Sequence, residues 1–239
     1  MILTKFLDWD SNLFCISIYE FKIFSHSTLS EFIETYNTLY FNLAYVFFEN
    51  PNLEIEEWLI KHQHKLCDRK VTYFKNISSK NINFQNLKFE FELIDYGTEF
   101  YNELLELSYI SGEYSRFKID PFLTNENFKI LYQKWLDNSL NKSIANEVIG
   151  IKLENKLLGF ATINYNSSPA KIGLIACKPL NQRIGAGSSL MHLIENKVLE
   201  KNIHEIEVVT QLDNLKACKF YEKNNYVKKN IIDIYHCWK

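Results

Sequence analysis

Arginine is nearly absent from this chain: of 27 basic residues only Arg69, Arg116 and Arg183 are arginine. Glycine is scarce as well, seven residues in 239, well below the roughly 7% of an ordinary chain. The five cysteines, at 15, 67, 177, 218 and 237, are odd in number and lack any C-x-x-C spacing, which argues against a disulfide framework and against a zinc site. A reducing compartment is expected. No run of eighteen apolar residues occurs, and the start, MILTKFLDWDSNLF, has no basic region followed by an apolar segment, so neither a membrane span nor a leader is expected and cytoplasm is the default location. Charge of one sign is lacking too. With 27 basic and 29 acidic residues, a net charge of −2 and no long single-sign run, a nucleic-acid surface is not suggested. An acidic small molecule would have to be met by local positive potential.

What the chain does have is apolar content: 46% hydrophobic and 15% aromatic residues over 239 positions, enough for one large domain or two small ones. Its scarce residues converge on one place. An apolar run, Ile172 to Cys177, leads through Pro179 into Gln182-Arg183-Ile184-Gly185-Ala186-Gly187-Ser188, after which Leu190, Met191, Ile194 and Val198 fall on one helical face. That is strand, glycine loop, helix. Such a loop leaves several backbone N–H groups unpaired at a helix N-terminus, where the helix dipole adds positive potential, and this suits a diphosphate. Gly185 and Gly187 remove side chains that would block close approach. The spacing is neither the dinucleotide G-x-G-x-x-G nor a P-loop, since no third glycine and no Gly-Lys-Ser/Thr follows.

The remainder divides into alternating patterns. Ile16 to Phe24 reads as a strand, Thr28-Leu-Ser-Glu31 as a capping box opening a helix to about Tyr40, Leu43 to Phe48 as a strand, Asn52 as the cap of a helix to about Lys65, and Lys70 to Phe74 as a strand. Asn76 to Gln85, rich in Asn and Ser, is the expected linker, dividing residues 1–86 from residues 87–239. Beyond it come a strand at Lys88 to Ile94, with Phe89, Phe91 and Leu93 on one face, a helix from about Thr98 to Ile110, a loop through Pro121 and a helix from about Asn125 to Asn138. Strands are expected at about Asn146 to Leu153, Leu157 to Tyr165 and Ala170 to Cys177, then the glycine-loop helix, a strand at Glu205 to Thr210, a helix at Asn214 to Asn224, and closing strands at Tyr226 to Lys228 and Ile231 to Trp238. The fold class is α/β with a mixed sheet.

That element order, β-α-α-β-β-β-α-β-α-β-β over residues 88–238, together with the [Gln/Arg]-x-x-Gly-x-[Gly/Ala] loop, resembles the GNAT acyltransferases. Within them the chain resembles the two-domain sugar-nucleotide acetyltransferases that acylate dTDP-fucosamine (4-amino-4,6-dideoxygalactose). The motifs are Leu7-Asp-Trp-Asp-Ser-Asn-Leu-Phe14, Ser115-Arg-Phe117, Trp135-Leu-Asp-Asn-Ser139, Ala170-Lys-Ile-Gly-Leu-Ile-Ala176, Gly185-Ala-Gly187 and the Val209-Thr-Gln211, Asn214, Ala217, Tyr221 series. The resemblance implies a GNAT domain at 87–239 behind a smaller, incomplete GNAT-like unit at 1–86, acetyl-coenzyme A as co-substrate, a nucleotide-linked amino sugar as acceptor, and a homodimer. It implies that Gln182 to Ser188, meaning Gln182, Arg183, Ile184, Gly185, Ala186, Gly187 and Ser188, hold the pyrophosphate. Backbone groups of Leu174, Ile175 and Ala176 would pair with pantetheine as an added strand does.

Tyr221 shares a helical face with Asn214, Ala217 and Cys218. In the family the tyrosine at this place protonates the departing thiolate, and a phenol with an ordinary pKa of about 10 carries that proton at neutral pH. A tyrosine packed in the core is the alternative. Ala217 leaves room for a ligand, and Asn214 can both cap its helix and bond a pantetheine amide. Arg116 and Phe117 lie in the connection that, by the resemblance, covers the acceptor side; Arg116 either meets a sugar-nucleotide diphosphate or serves as a structural group, and Asp120 is expected to pair with it. Cys177 reads as a small core residue rather than an acyl-carrying nucleophile, His62 and His64 point apart on their helix, and His236 reads as structural. No metal is expected. The acceptor amine would attack the thioester directly, and no general base is identifiable from the sequence. Another small amine, a protein N-terminus, or a non-catalytic coenzyme A-binding module are the rival readings.

Overall fold

Six successive apolar residues, Leu43–Phe48, form strand β3, and their burial explains the composition: Leu43 and Tyr45 enter one core while Ala44, Val46 and Phe48 enter another, so the strand is covered on both faces. The computed structural model describes residues 2–78, 89–179 and 185–239. β3 lies parallel to β2 (Ile18–Ile23), which pairs antiparallel with the edge strand β1 (Leu3–Phe6). On its other side β3 pairs with β10 (Val227–Trp238), β10 with β4 (Lys65–Asn76), and β4 with β9 (Glu205–Gln211), all antiparallel. β9 runs parallel to β8 (Ala170–Cys177), and the sheet closes antiparallel through β7 (Lys156–Asn164), β6 (Glu147–Leu153) and β5 (Glu90–Leu93). The ten-strand order is β1-β2-β3-β10-β4-β9-β8-β7-β6-β5. The expected mixed α/β class is what the chain forms.

Helices cover both faces. On one face α1 (Asp8–Phe14), α4 (Tyr101–Ser111), α5 (Arg116–Ile119) and α6 (Asn125–Leu140) contribute Phe14, Leu104, Phe117, Leu131 and Leu136 to a shared core. The other face carries two cores. α2 (Leu29–Thr38) and α3 (Leu53–Lys61) pack Phe32, Ile55 and Leu59 over β2, β3 and β10, while α7 (Ala186–Glu200) and α8 (Leu215–Lys223) pack over β4 and β6 to β9. The capping box forms as expected, Glu31 N–H donating to Thr28 Oγ1 at 3.3 Å and Thr28 N–H to Glu31 at 3.2 Å.

Several expectations need correction. The two closing strands are one, β10, bent by irregularities between Lys228 and Asn230 and between Ile234 and Tyr235, because it must follow two partners at once. The connection at 112–121 contains α5, and β1 and α1 form at the start of the chain. Of Phe89, Phe91 and Leu93, expected on one buried face, only Phe89, just before β5, is buried; Leu93 is 53% exposed, as the strand is an edge. The linker expected at Asn76 to Gln85 falls mostly outside the described residues. The sheet runs continuously between the two segments: β4 from the first borders β9, and β10 from the second lies between β3 and β4.

Candidate active site

β8 and β9 pair only at Ala170↔Ile206, Lys171↔Glu207 and Ile172↔Val208. Past Ile172 each strand stays with its outer neighbour, β8 with β7 as far as Gly159↔Cys177 and β9 with β4 as far as Lys70↔Gln211, so the two part and the sheet opens between them. An extra residue in β8 between the Ile163↔Ile172 and Ala161↔Ile175 pairs accompanies the split. Before it Ala170 and Ile172 face the core under α7 and α8; after it Leu174 and Ala176 face the opposite core. Gly173 is required there, since a Cβ would sit 2.6 Å from Thr162 Oγ1. That same hydroxyl accepts from Leu174 N–H at 2.9 Å. The Leu174 N–H is therefore already bonded within the sheet.

The opening leads into a cleft of about 1180 Å³, above the roughly 300–1,000 Å³ usual for a single small ligand. Its walls bring together most of the expected residues from distant parts of the chain: Leu174, Ile175 and Ala176 of β8, Gly185, Gly187 and Ser188 at the start of α7, Asn214, Ala217 and Tyr221 of α8, and Arg116 and Phe117 of α5. Ala186 is packed into the core instead, at 1% exposure. Gln182, Arg183 and Ile184 lie outside the described residues.

α7 is aimed at the cleft by its own periodicity, because Leu190, Met191, Ile194 and Val198 are all buried against the sheet. Gly185 occupies its N-cap with φ of 98°, a conformation that favours glycine, and among the described residues no N-cap side chain bonds the amides of the first turn. Gly187 approaches α8 so closely that a Cβ would lie 3.0 Å from the Phe220 ring. Asn214 lines the cleft and caps α8 by accepting from Ala217 N–H at 3.1 Å, which engages its carbonyl oxygen. Tyr221 is buried, its ring 5.4 Å from those of Tyr73 and Phe220. Burial raises its phenol well above the ordinary value, with Cys218 and Cys177 adding to the effect, so the proton is retained at neutral pH. Cys177 is likewise pushed up to about 11 by burial and stays a thiol, in keeping with a packing role.

Asp120 does not pair with Arg116. It accepts from His236 Nδ1 at 2.5 Å, from Trp238 Nε1 at 3.0 Å and from Phe122 N–H at 2.9 Å. Cys67, Asp120 and His236 come within 4.8 Å of one another, but the carboxylate is already used by three donors and burial raises the Cys67 thiol to about 12, a poor donor set for a cation. The Arg116 guanidinium lies 4.3 Å from the Phe117 ring centre and 4.8 Å from that of Tyr45, with Nε buried and unpartnered.

Two groups of cleft residues escaped the sequence reading. Lys216, Lys219 and Lys223 line it from α8, supplying the positive potential that an acidic ligand needs; their spacing of three and four along a helix was the available signal. Asp68 and Lys70 enter from β4, two residues apart and so on one face of that strand.

A sequence profile of the acetyltransferase (GNAT) family matches residues 104–226, just over half of the chain. The spore coat polysaccharide biosynthesis protein SpsD of Bacillus subtilis is 28% identical over 137 residues, which are 56% of this chain and 46% of that protein. The matches span about half the length of the curated relatives. Among solved structures, a conserved protein of unknown function from Staphylococcus epidermidis shares the fold with a TM-score of 0.68 at 12% identity, over 93% of this chain and 85% of that one. The GCN5-related N-acetyltransferase of Sphaerobacter thermophilus superposes with a TM-score of 0.62 at 7% identity, over 99% and 76%. No helix among the described residues is long and apolar enough to cross a membrane.

Proposed function

Because the chain belongs to the acetyltransferase (GNAT) family, we propose that it carries an acetyl group from acetyl-coenzyme A to the amino group of a nucleotide-linked amino-deoxy sugar. The observation that carries this reading is the parting of β8 and β9 with the uncapped start of α7 on one side and the buried Tyr221 phenol within it. The pyrophosphate meets the amides of Gly185 to Ser188 and the loop before them, with lysines of α8 alongside. Pantetheine enters the split and takes polar backbone groups of Ile175 and Ala176 and the Asn214 amide, while Ala217 leaves it room. The thioester then stands beside Tyr221.

The amine attacks the carbonyl carbon directly, the C–S bond breaks, and Tyr221 protonates the leaving sulfur. The large cleft suits two reactants held together, and we assign Arg116 and Phe117, which line it, to the acceptor. The sugar-nucleotide acceptor is supported by the motif series from Leu7 to Tyr221 and by the polysaccharide role in the name of the Bacillus relative. The test is thiol release from acetyl-coenzyme A over a panel of amines that includes dTDP-4-amino-4,6-dideoxygalactose, simple amino sugars and peptide N-termini. The sugar nucleotide should give the highest kcat/KM. Turnover of peptides alone would replace the acceptor class, and a lack of acetyl-coenzyme A binding by calorimetry would remove the reading altogether.

A further inference from the structure

Asp68 is 6% exposed yet lines the cleft, and its Oδ1 is buried with no hydrogen-bond partner. Among the described residues no cation stands within 4.0 Å of it; the Arg116 guanidinium is stacked on Phe117 and Tyr45 instead. Gln211 supplies the Asp68 carboxylate with one side-chain hydrogen bond; a buried carboxylate oxygen left without a donor is costly, and it is retained most readily where a ligand brings the missing cation. Strand alternation fixes where it stands. Val71 and Tyr73 of β4 turn into the core beneath α8, where Tyr73 meets Tyr221, so Asp68 and Lys70 turn to the opposite face, beside Gln211 of β9. Tyr221 and Asp68 thus flank the split from opposite sides of the sheet.

We propose that Asp68 receives the acceptor, pairing with its ammonium group and taking the proton that must leave before the nitrogen can attack. The proposal rests on the acetyltransferase reading and supplies the base that this reading lacks. An ammonium donates one proton to the Asp68 carboxylate and becomes a neutral amine. Its lone pair forms the C–N bond, the C–S bond breaks, and the sulfur takes the Tyr221 proton. The new N–C bond leaves one surplus N–H proton, which restores the phenol, while Asp68 returns its own proton to solvent. The sum is ammonium plus acetyl-coenzyme A giving amide, free thiol and one proton. Burial pushes the carboxyl up to about 6, partly offset by Arg116 of α5, Gln211 of β9 and Lys70 of β4, with Asp213 acting in the same sense as burial and the Tyr132 phenol of α6 facing the same pocket. A base of that strength is ionised at neutral pH and still basic enough to accept a proton.

The test uses the full chain and Asp68→Asn. Acetyl transfer to dTDP-4-amino-4,6-dideoxygalactose at pH 7.5 should fall about 100-fold in kcat/KM, and the native enzyme should show an acid limb near pH 6 that the variant lacks. The melting temperature at pH 7.5 should be unchanged or higher, because an ionised buried carboxylate is removed. Binding to the dead-end complex with coenzyme A supplies a readout without turnover: the native protein should prefer the amino sugar nucleotide over its 4-hydroxy counterpart by more than tenfold, and the variant should not. Native binding without that preference, a variant that keeps it, activity within threefold of native, or a lowered melting temperature would each overturn the proposal. If the native protein shows the amine preference but releases no thiol from acetyl-coenzyme A, the acetyltransferase reading fails while the Asp68 site stands.

Discussion

Burial holds the proton on Tyr221, and this shapes what its removal should do. Tyr221→Phe keeps the ring packed against Tyr73 and Phe220 and deletes only the hydroxyl, so kcat should fall on the order of 100-fold or more with acetyl-coenzyme A affinity nearly unchanged; steady-state kinetics beside calorimetry checks both. His236 tests a structural role. Burial lowers it to about 4, so between pH 6.5 and 4 the unfolded chain takes up a proton that the folded chain refuses, and stability falls as pH drops through that window. His236→Gln should flatten that slope in denaturant titrations. Asp68 acts in the opposite sense, its raised folded value favouring the native state as pH falls below about 6, so Asp68→Asn should steepen it. Of these residues, Tyr221 was readable because its spacing from Asn214 and Ala217 survives folding unchanged on one helix. Asp68 was not, because its meaning depends on β4 bordering β9, more than a hundred residues away.

At the scale of the element, helix starts carry the site. Gly187→Val would push a branched side chain into Phe220, which a Cβ alone already approaches to 3.0 Å, and would part α7 from α8 where the pyrophosphate is read to sit. Acetyl-coenzyme A affinity should fall more than tenfold by calorimetry while the far-ultraviolet dichroism stays native. Two caps separate stability from function. Thr28→Ala, which removes the α2 capping box, should cost about 1 kcal/mol in chemical denaturation and leave turnover alone, whereas Asn214→Ala should cost a similar amount and also raise KM for acetyl-coenzyme A. The capping box at Thr28 and the α8 cap at Asn214 were both legible, since capping is a contact over three residues. The merging of two expected closing strands into β10 was not, because that strand's length answers to β3 and β4 rather than to its own composition.

In the whole molecule β10 is the joint, paired with β3 along Asp233 to Trp238 and with β4 along Val227 to His236. Removing residues 227–239 would strip a partner from both strands at once, and no folded product should be recoverable. For the intact chain the shared sheet leads us to expect one calorimetric transition covering both segments, with two separated transitions counting against it. Local pattern alone determined the α/β class, the glycine-loop helix, the alignment of Asn214, Ala217 and Tyr221 and the element order apart from β1, α1, α5 and the single β10, because each is written in contacts a few residues long. Where β8 and β9 part, which carboxylate is stranded in the opening, and which strands the C-terminal strand joins were decided only by tertiary structure. Those outcomes depend on pairing partners far apart in the chain, and a strand's own residues specify which face is apolar without specifying which neighbour will cover its edge.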